Sequence, residues 1–517
     1  MKIKKPFLTV AGMILYTALV AGVTYFLTLK QSENVLNQEQ KHLQQQTASK
    51  DWLKEDYNWI PLPDLDLNAP GETYDIQSLT VEAANRIDLR SLSGHDVRIN
   101  GNDVSDKASY ELEIDTIAED HFIAVTVDGK DFYIRTLPEG LQGYRIENNG
   151  AEDGYYYFSY GNYIVKLDTN GHVVYYKDVG TEKSYDFKVN ETEEGKIYYS
   201  YLVQTNRQEK IEGIGPETTK AVIMDENYQV VDEVDSILPT DLVQRTPIES
   251  HEFIFFDLGH YIVSAYYPER VYNIPSEMKQ NEFGTKVIAS YLQEIKDNQV
   301  IWEWKSTEHP ELYALSIEHN DFTNVHSNFA DYMHFNALAV DPKDNNFVLS
   351  FRNLDALIKL DRKNGEIIWI LGGKGDQFGL SEEQQFHRQH KVSILSDGSI
   401  LLFNNGNLLP VAPYPIVAED DPIRNEKAET TIVKMKIDED HLKLVEYESF
   451  PTGRFSATRG SVQMLDEDKN IVLIGWGSGE NNDEHFTEVN LNSGEKLFIF
   501  YPHDEDLISY RAYKFDK

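Results

Sequence analysis

One short unit recurs six times through the last 380-odd residues, and it constrains the fold more than anything else in the chain. Each copy is a short strand, a turn, and a second strand opened by Gly, Asn or a polar residue and rich in aromatic and aliphatic side chains. The second strands read NGHVVYYKD from Asn170, ENYQVVDEVD from Glu226, DNQVIWEWKS from Asp297, KNGEIIWILGG from Lys363, HLKLVEYESF from His441 and SGEKLFIFYP from Ser493. Each follows a strand such as YIVKLD, AVIMDE or ALIKLD, and the copies start 50–80 residues apart. Between them lies another hairpin type, as in HEFIFFDLGHYIVSAYY and QHKVSILSDGSILLFNNGN. Two hairpins per repeat make four strands. Six four-stranded units predict an all-β, six-bladed β-propeller over residues 138–517, because such units bury their faces only against one another. A long irregular sandwich gives no reason for six recurrences.

Residues 56–137 keep the period-two pattern but not the repeat, and VTVDGKDFYI carries an Asp-Gly hairpin signal. They are expected to form a small N-terminal β-sandwich without chemistry of its own. Lys2, Lys4 and Lys5 precede an uncharged apolar run from Pro6 to Leu29 with no small-x-small cleavage site. A run of about 20 such residues spans a bilayer, so residues 1–29 are expected to be an uncleaved signal-anchor, a transmembrane helix with the body extracytoplasmic. Residues 30–55, rich in Gln, read as a helical stalk. That reading makes the protein a single-pass protein of the cell membrane.

Charge and cysteine content narrow the function. Lys and Arg number 48 against 86 Asp and Glu, a net charge of −38, which argues against nucleic-acid or anionic-lipid partners. With no Cys, disulfides, thiolate metal sites and thiol nucleophiles are excluded.

Of the 15 histidines, three stand at equivalent places. His251 (SHEFIFF), His334 (MHFNALAV) and His390 (QHKVSIL) each precede the first hairpin strand of successive repeats. In a propeller that strand lines the central channel, so the three imidazoles converge on one mouth. Arg352 ends the next strand of the His334 repeat, Asn336 lies two residues past His334, and GRFSATRGSVQ supplies Thr458. A single histidine there would be a hairpin cap. Three in register with Arg352 point to a site. Imidazoles can ligate a metal, but no carboxylate shares their register, so no metal or other cofactor is expected. Imidazole with guanidinium can instead hold an oxyanion, and an imidazole can carry a transferred group as a nucleophile.

The segments SHEFIFFDLGHY, DYMHFNALAVDPKDNNFVLSFRNLDALIKLDRKNGEIIWILGG, FHRQHKVSILSDGSILLFNNGN and FSATRGSVQML resemble, in order, the signature blocks of the bacterial arylsulfate sulfotransferases. The resemblance runs from about residue 60 to the end. It implies an extracytoplasmic six-bladed propeller that moves a sulfuryl group from a phenolic sulfate donor to a phenol acceptor by a ping-pong route through a sulfohistidine, with no nucleotide sulfate donor. It implies His390 as nucleophile, His251, His334 and Arg352 as catalytic partners on the sulfuryl group, Asn336 and Thr458 as substrate-binding residues, and a possible homodimer. The chain departs from the family at Ser250, where a second histidine is usual, and at Asn404, where an Asp is usual. A non-catalytic adhesive or ligand-binding propeller ectodomain, or a metal-dependent propeller hydrolase or oxidoreductase, are the alternatives.

Overall fold

A computed structural model describes residues 86–517 apart from 112–120, 182, 206–217, 238–244, 325–328, 408–428, 480–482, 505 and 508–509, together with 60–61, 65, 67–68 and 73–76. Among the described residues the regular elements are β-strands and 3-10 turns, the longest of these Pro310–Leu315.

Before the repeats, a five-stranded sheet (Thr73–Ile76, Lys130–Thr136, His121–Val127, Val97–Ile99, Asn102–Asp103) and a three-stranded one (Ile60–Pro61, Arg86–Asp88, Ser109–Glu111) share a core of Ile87, Val97, Ile99, Val125, Phe132 and Ile134. The expected hairpin turn is there: Asp128 and Gly129 take φ of 50° and 77°, as the two central residues of a type I′ turn require.

The repeats fold into six antiparallel sheets, here called blades 1 to 6: five are four-stranded, and blade 6 has a fifth, outermost strand, Arg145–Asn148, paired with Lys496–Tyr501. The innermost strands of blades 2 to 6 are Ser184–Glu191, Phe253–Asp257, Phe335–Val340, Val392–Ile394 and Ser461–Asp466. Blade 1 begins with Tyr155–Tyr160, but its innermost strand is Ala512–Phe515 from the C-terminus, paired from Tyr155↔Phe515 to Phe158↔Ala512. Each blade packs on the next, and blade 6 packs on blade 1, through six separate apolar clusters. This closed ring is a β-propeller.

The repeat motif has a local cause. An Asp or Asn ends the third strand of several blades, and its side-chain oxygen accepts backbone N–H groups of the following turn. Asp168 takes those of Asn170 and His172, Asp225 those of Asn227 and Gln229, and Asn490 those of Asn492 and Ser493. The outer strand that follows packs its aromatic residues inward, as Trp302 and Trp369 do.

One expectation is corrected. Among the described residues no helix is long and apolar enough to cross a membrane. At about 2 Å per residue, the six residues of Pro310–Leu315 reach far short of the ~30 Å hydrocarbon core. Residues 1–29 and the expected stalk at 30–55 lie outside the described residues. The single-pass membrane assignment is therefore unsupported and is dropped.

The seam between the last and first blades carries the ring's closure. Phe486, fully buried, sits among Tyr156, Phe158, Phe498 and Phe500 with ring centroids 4.9–6.0 Å away. Phe486→Ala is expected to lower stability by about 3–5 kcal/mol in denaturant unfolding; a loss of less than about 1 kcal/mol would show that this seam does not hold the ring.

Candidate active site

The innermost strands all start at one face of the ring, and the three histidines stand just before them. His251 and His390 lie two residues ahead of Phe253 and Val392, and His334 lies one ahead of Phe335. Convergence follows: the His251 ring centroid is 5.4 Å from that of His334 and 5.5 Å from that of His390. His334 has φ of 55°. That left-handed conformation is costly for a residue with a Cβ and is typical of positions held for a purpose. Its carbonyl accepts the N–H of Arg352 at 2.9 Å, which fixes the arginine beside it across the hairpin.

All three imidazoles are oriented through Nδ1. His334 Nδ1 lies 2.6 Å from Asp331 Oδ2, and His251 Nδ1 lies 2.5 Å from Glu249 Oε2. Ser264 Oγ and the His251 backbone N–H donate to the same Glu249 carboxylate. His390 Nδ1 faces the Gly460 carbonyl at 2.9 Å. A carbonyl or carboxylate can only accept, so each Nδ1 is the donor and each Nε2 is left for chemistry. Carboxylates thus do reach two of the three rings, although no Asp or Glu shares their register in sequence.

Two tyrosines frame the ring. Tyr510 stands edge-on to His390 with centroids 5.5 Å apart, and its hydroxyl donates to the His251 carbonyl at 3.3 Å. Tyr266 packs 5.5 Å from His334 and donates its hydroxyl to the Phe335 carbonyl. Burial holds His334 below the usual histidine range, with Asp331 opposing. Burial pushes His390 well below it; the Arg511 guanidinium adds to this, and the Gly460 carbonyl opposes.

Arg352 is 8% exposed. Its Nη1 donates to Glu318 Oε2 at 3.0 Å and to Asn353 Oδ1 at 2.6 Å, and its buried Nη2 has no hydrogen-bond partner. A buried guanidinium with one amine held and the other open is a donor awaiting an acceptor. Asn336 is fully buried; its Nδ2 donates to the Gln389 carbonyl at 2.7 Å, beside His390, and its Oδ1 is open. The Thr458 hydroxyl is engaged with Ser478 Oγ at 2.7 Å and not with an imidazole. Asn404 pins a turn, accepting the N–H groups of His387 and Gly406. Ser461 accepts the Ala512 N–H at 3.3 Å and serves ring closure. Among the described residues, no group of three or more His, Asp or Glu is arranged to hold a metal ion.

Sequence reasoning missed Glu249, the Gly460 carbonyl, Tyr266, Tyr510 and Arg511. Glu249 had a signal, since it stands two residues before His251, but a carbonyl leaves none. Gly460 cannot be replaced freely: at φ of 94° an added Cβ would lie 2.3 Å from the Phe403 ring. Gly460→Ala is expected to displace its carbonyl, so that His390 shows both neutral tautomers by ¹⁵N NMR; an unchanged single Nδ1–H tautomer would contradict this account.

The sequence model of the Arylsulfotransferase (ASST) family matches residues 145–511. Among curated proteins no sequence matches the chain. Solved structures that it is similar to include the β-propeller domain of Cps50 (Swd1) from Myceliophteria thermophila. That likeness has 9% identity and a TM-score of 0.35, covering 68% of this chain and 88% of that one. Another is virginiamycin B lyase from Staphylococcus aureus in a catalytically inactive form with quinupristin, at 11% identity and a TM-score of 0.31, covering 77% and 92%. A functionally unknown protein from Desulfotomaculum acetoxidans matches at 10% and 0.34, covering 74% and 93%. At such values nothing is carried from these structures to this chain.

Proposed function

The chain belongs to the arylsulfotransferase family, and on that premise we propose that it transfers a sulfuryl group from a phenolic sulfate ester to a phenol through a sulfated His390. The observation that carries the assignment of roles is the difference between the Nδ1 partners. His390 faces a neutral carbonyl, whereas His334 and His251 face carboxylates. A carboxylate stabilises an imidazolium; a carbonyl does so far less. His390 is thus the ring suited to stay neutral and attack, and each of the other two has a carboxylate placed to stabilise the proton it would deliver to the leaving group.

In the first half-reaction the His390 Nε2 lone pair attacks sulfur and the sulfur–aryl oxygen bond breaks. The bonding pair leaves on the phenolate, which takes a proton from the Nε2–H of a protonated His251 or His334. Such general-acid help is worth about 10²–10⁴-fold, and the leaving group needs it, since a phenol like tyrosine has a pKa of about 10. Nδ1–H of His390 stays on the Gly460 carbonyl throughout. The open Nη2 of Arg352 would meet the sulfuryl oxygens, whose charge persists through the transfer, with Asn336 and Thr458 completing the pocket. One such donor is worth about 3–4 kcal/mol. In the second half-reaction an acceptor phenol gives its proton back to the now neutral imidazole and takes the sulfuryl group, restoring His390. The unit spanning 138–517 is the catalytic body in this reading.

Pre-steady-state release of a chromogenic phenol tests it. The wild-type chain is expected to give a burst without acceptor, and His390→Ala none. Arg352→Lys keeps charge but loses the planar fork, so its burst should be slower by about 10²–10³-fold. A full burst from His390→Ala would sink the mechanism.

A further inference from the structure

Directly behind the three imidazoles lies a buried cluster of five charges that sulfuryl transfer as written does not use. Arg511 Nη1 contacts Asp186 Oδ1 at 2.9 Å and Glu252 Oε2 at 3.0 Å. Lys391 Nζ reaches the same Glu252 oxygen at 2.8 Å. Lys188 Nζ lies 2.5 Å from Asp186 and 3.2 Å from Glu252. The Arg511, Asp186 and Glu252 side chains are 0–2% exposed.

The cluster is wired to the histidines by chain position. Glu252 follows His251 and Lys391 follows His390. Arg511 Nη2 donates to the Asn336 carbonyl at 3.0 Å, and Asn336 Nδ2 donates to the carbonyl of Gln389, the neighbour of His390. Tyr510, next to Arg511, packs edge-on against the His390 ring. Three blades and the closing strand therefore meet at one guanidinium, and Glu252 links it to Lys391 of a fourth.

Three cations face two carboxylates, which leaves one positive charge in surplus. Pairing for stability would be complete with two of each, and an unbalanced buried charge is expensive. Arg511 also keeps a buried Nε without a partner. We propose that this cluster is a positioning device for His390, with Arg511 supplying the surplus charge that holds the imidazole unprotonated and therefore nucleophilic. The proposal rests on the nucleophilic role given to His390 above and adds how that role is secured.

The groups facing His390 from each side are few. The closing strand brings Arg511 and Tyr510, and blade 3 brings His251 with Glu249 and Glu252 behind it. Blade 4 brings His334, Asp331 and Arg352; blade 6 brings the Gly460 carbonyl; blade 2 brings Asp186 and Lys188; its own blade brings Lys391. After burial, Arg511 is the largest influence keeping the ring neutral, followed by His251, with His334 also contributing. Burial lowers Lys391 to about 8, with Glu252 opposing, so it is charged wherever histidine titrates. Below the pH at which His390 gains a proton its nucleophile is lost. Removing a cluster cation moves that loss to higher pH, and removing a cluster carboxylate moves it lower.

The test is an imidazole ¹⁵N titration of the full chain, with His390 assigned by its absence in His390→Asn and the acid limb of the phenol burst followed in parallel. Arg511→Met should move both the His390 titration and the acid limb to higher pH, while Arg511→Lys leaves them near the wild-type position. Glu252→Gln should move neither upward. Lys391→Met removes the surplus by a second route and decides the matter if Arg511→Met does not fold. A His390 titration left in place by the folded Met variants, or raised by Glu252→Gln, overturns the proposal. A wild-type chain that gives the expected titrations but no burst would instead count against the transferase reading.

Discussion

The site exists because the ring is closed by its own C-terminus. Ala512–Phe515 forms the innermost strand of blade 1 against Tyr155–Tyr160, sequence neighbours of the opposite end of the repeat array. Without that pairing Tyr155–Tyr160 would be an unpaired edge, and blade 6 would lose its partner at the seam formed by Tyr156, Phe486, Phe498 and Phe500. Closure forces the starts of the innermost strands toward one axis. It thereby brings the rings of His334 and His390, both distant in sequence from His251, to 5.4 and 5.5 Å from that of His251. The closing strand also delivers Tyr510 and Arg511 into the centre, so the residue that completes the ring sits next to the candidate nucleophile.

Within that frame the chemistry is set by small differences between three similar histidines. Each has its Nδ1 proton taken by an acceptor, which leaves Nε2 for chemistry. Two acceptors are carboxylates and one is a carbonyl. The distinction separates the ring proposed to attack from the two that are backed by a carboxylate. The overall charge of −38 opposes an anionic substrate at long range. Attraction must therefore be local, and the open Nη2 of Arg352 is the buried donor suited to it.

Much of this is legible in the sequence, for reasons that follow from locality. The repeats reflect turns pinned by Asp168, Asp225 and Asn490, which are local hydrogen bonds with a local signature. The Asp128–Gly129 hairpin is of the same kind. The three histidines are legible because a propeller converts repeat register into spatial convergence. What escapes is what closure and backbone create. The Gly460 carbonyl has no side chain to read, and Arg511 matters only once its strand has crossed to blade 1. Thr458 stands two residues before Gly460 in sequence, and only the structure shows the pairing of its hydroxyl with Ser478 Oγ.

The central claim is that His390 itself carries the sulfuryl group, and mass spectrometry of the chain treated with an aryl sulfate and no acceptor tests it most directly. The account predicts a sulfuryl adduct on the peptide containing His390, formed as phenol is released and discharged when a phenol is added. An adduct on His251 or His334, or phenol released in burst quantity with no adduct on any histidine, would contradict it.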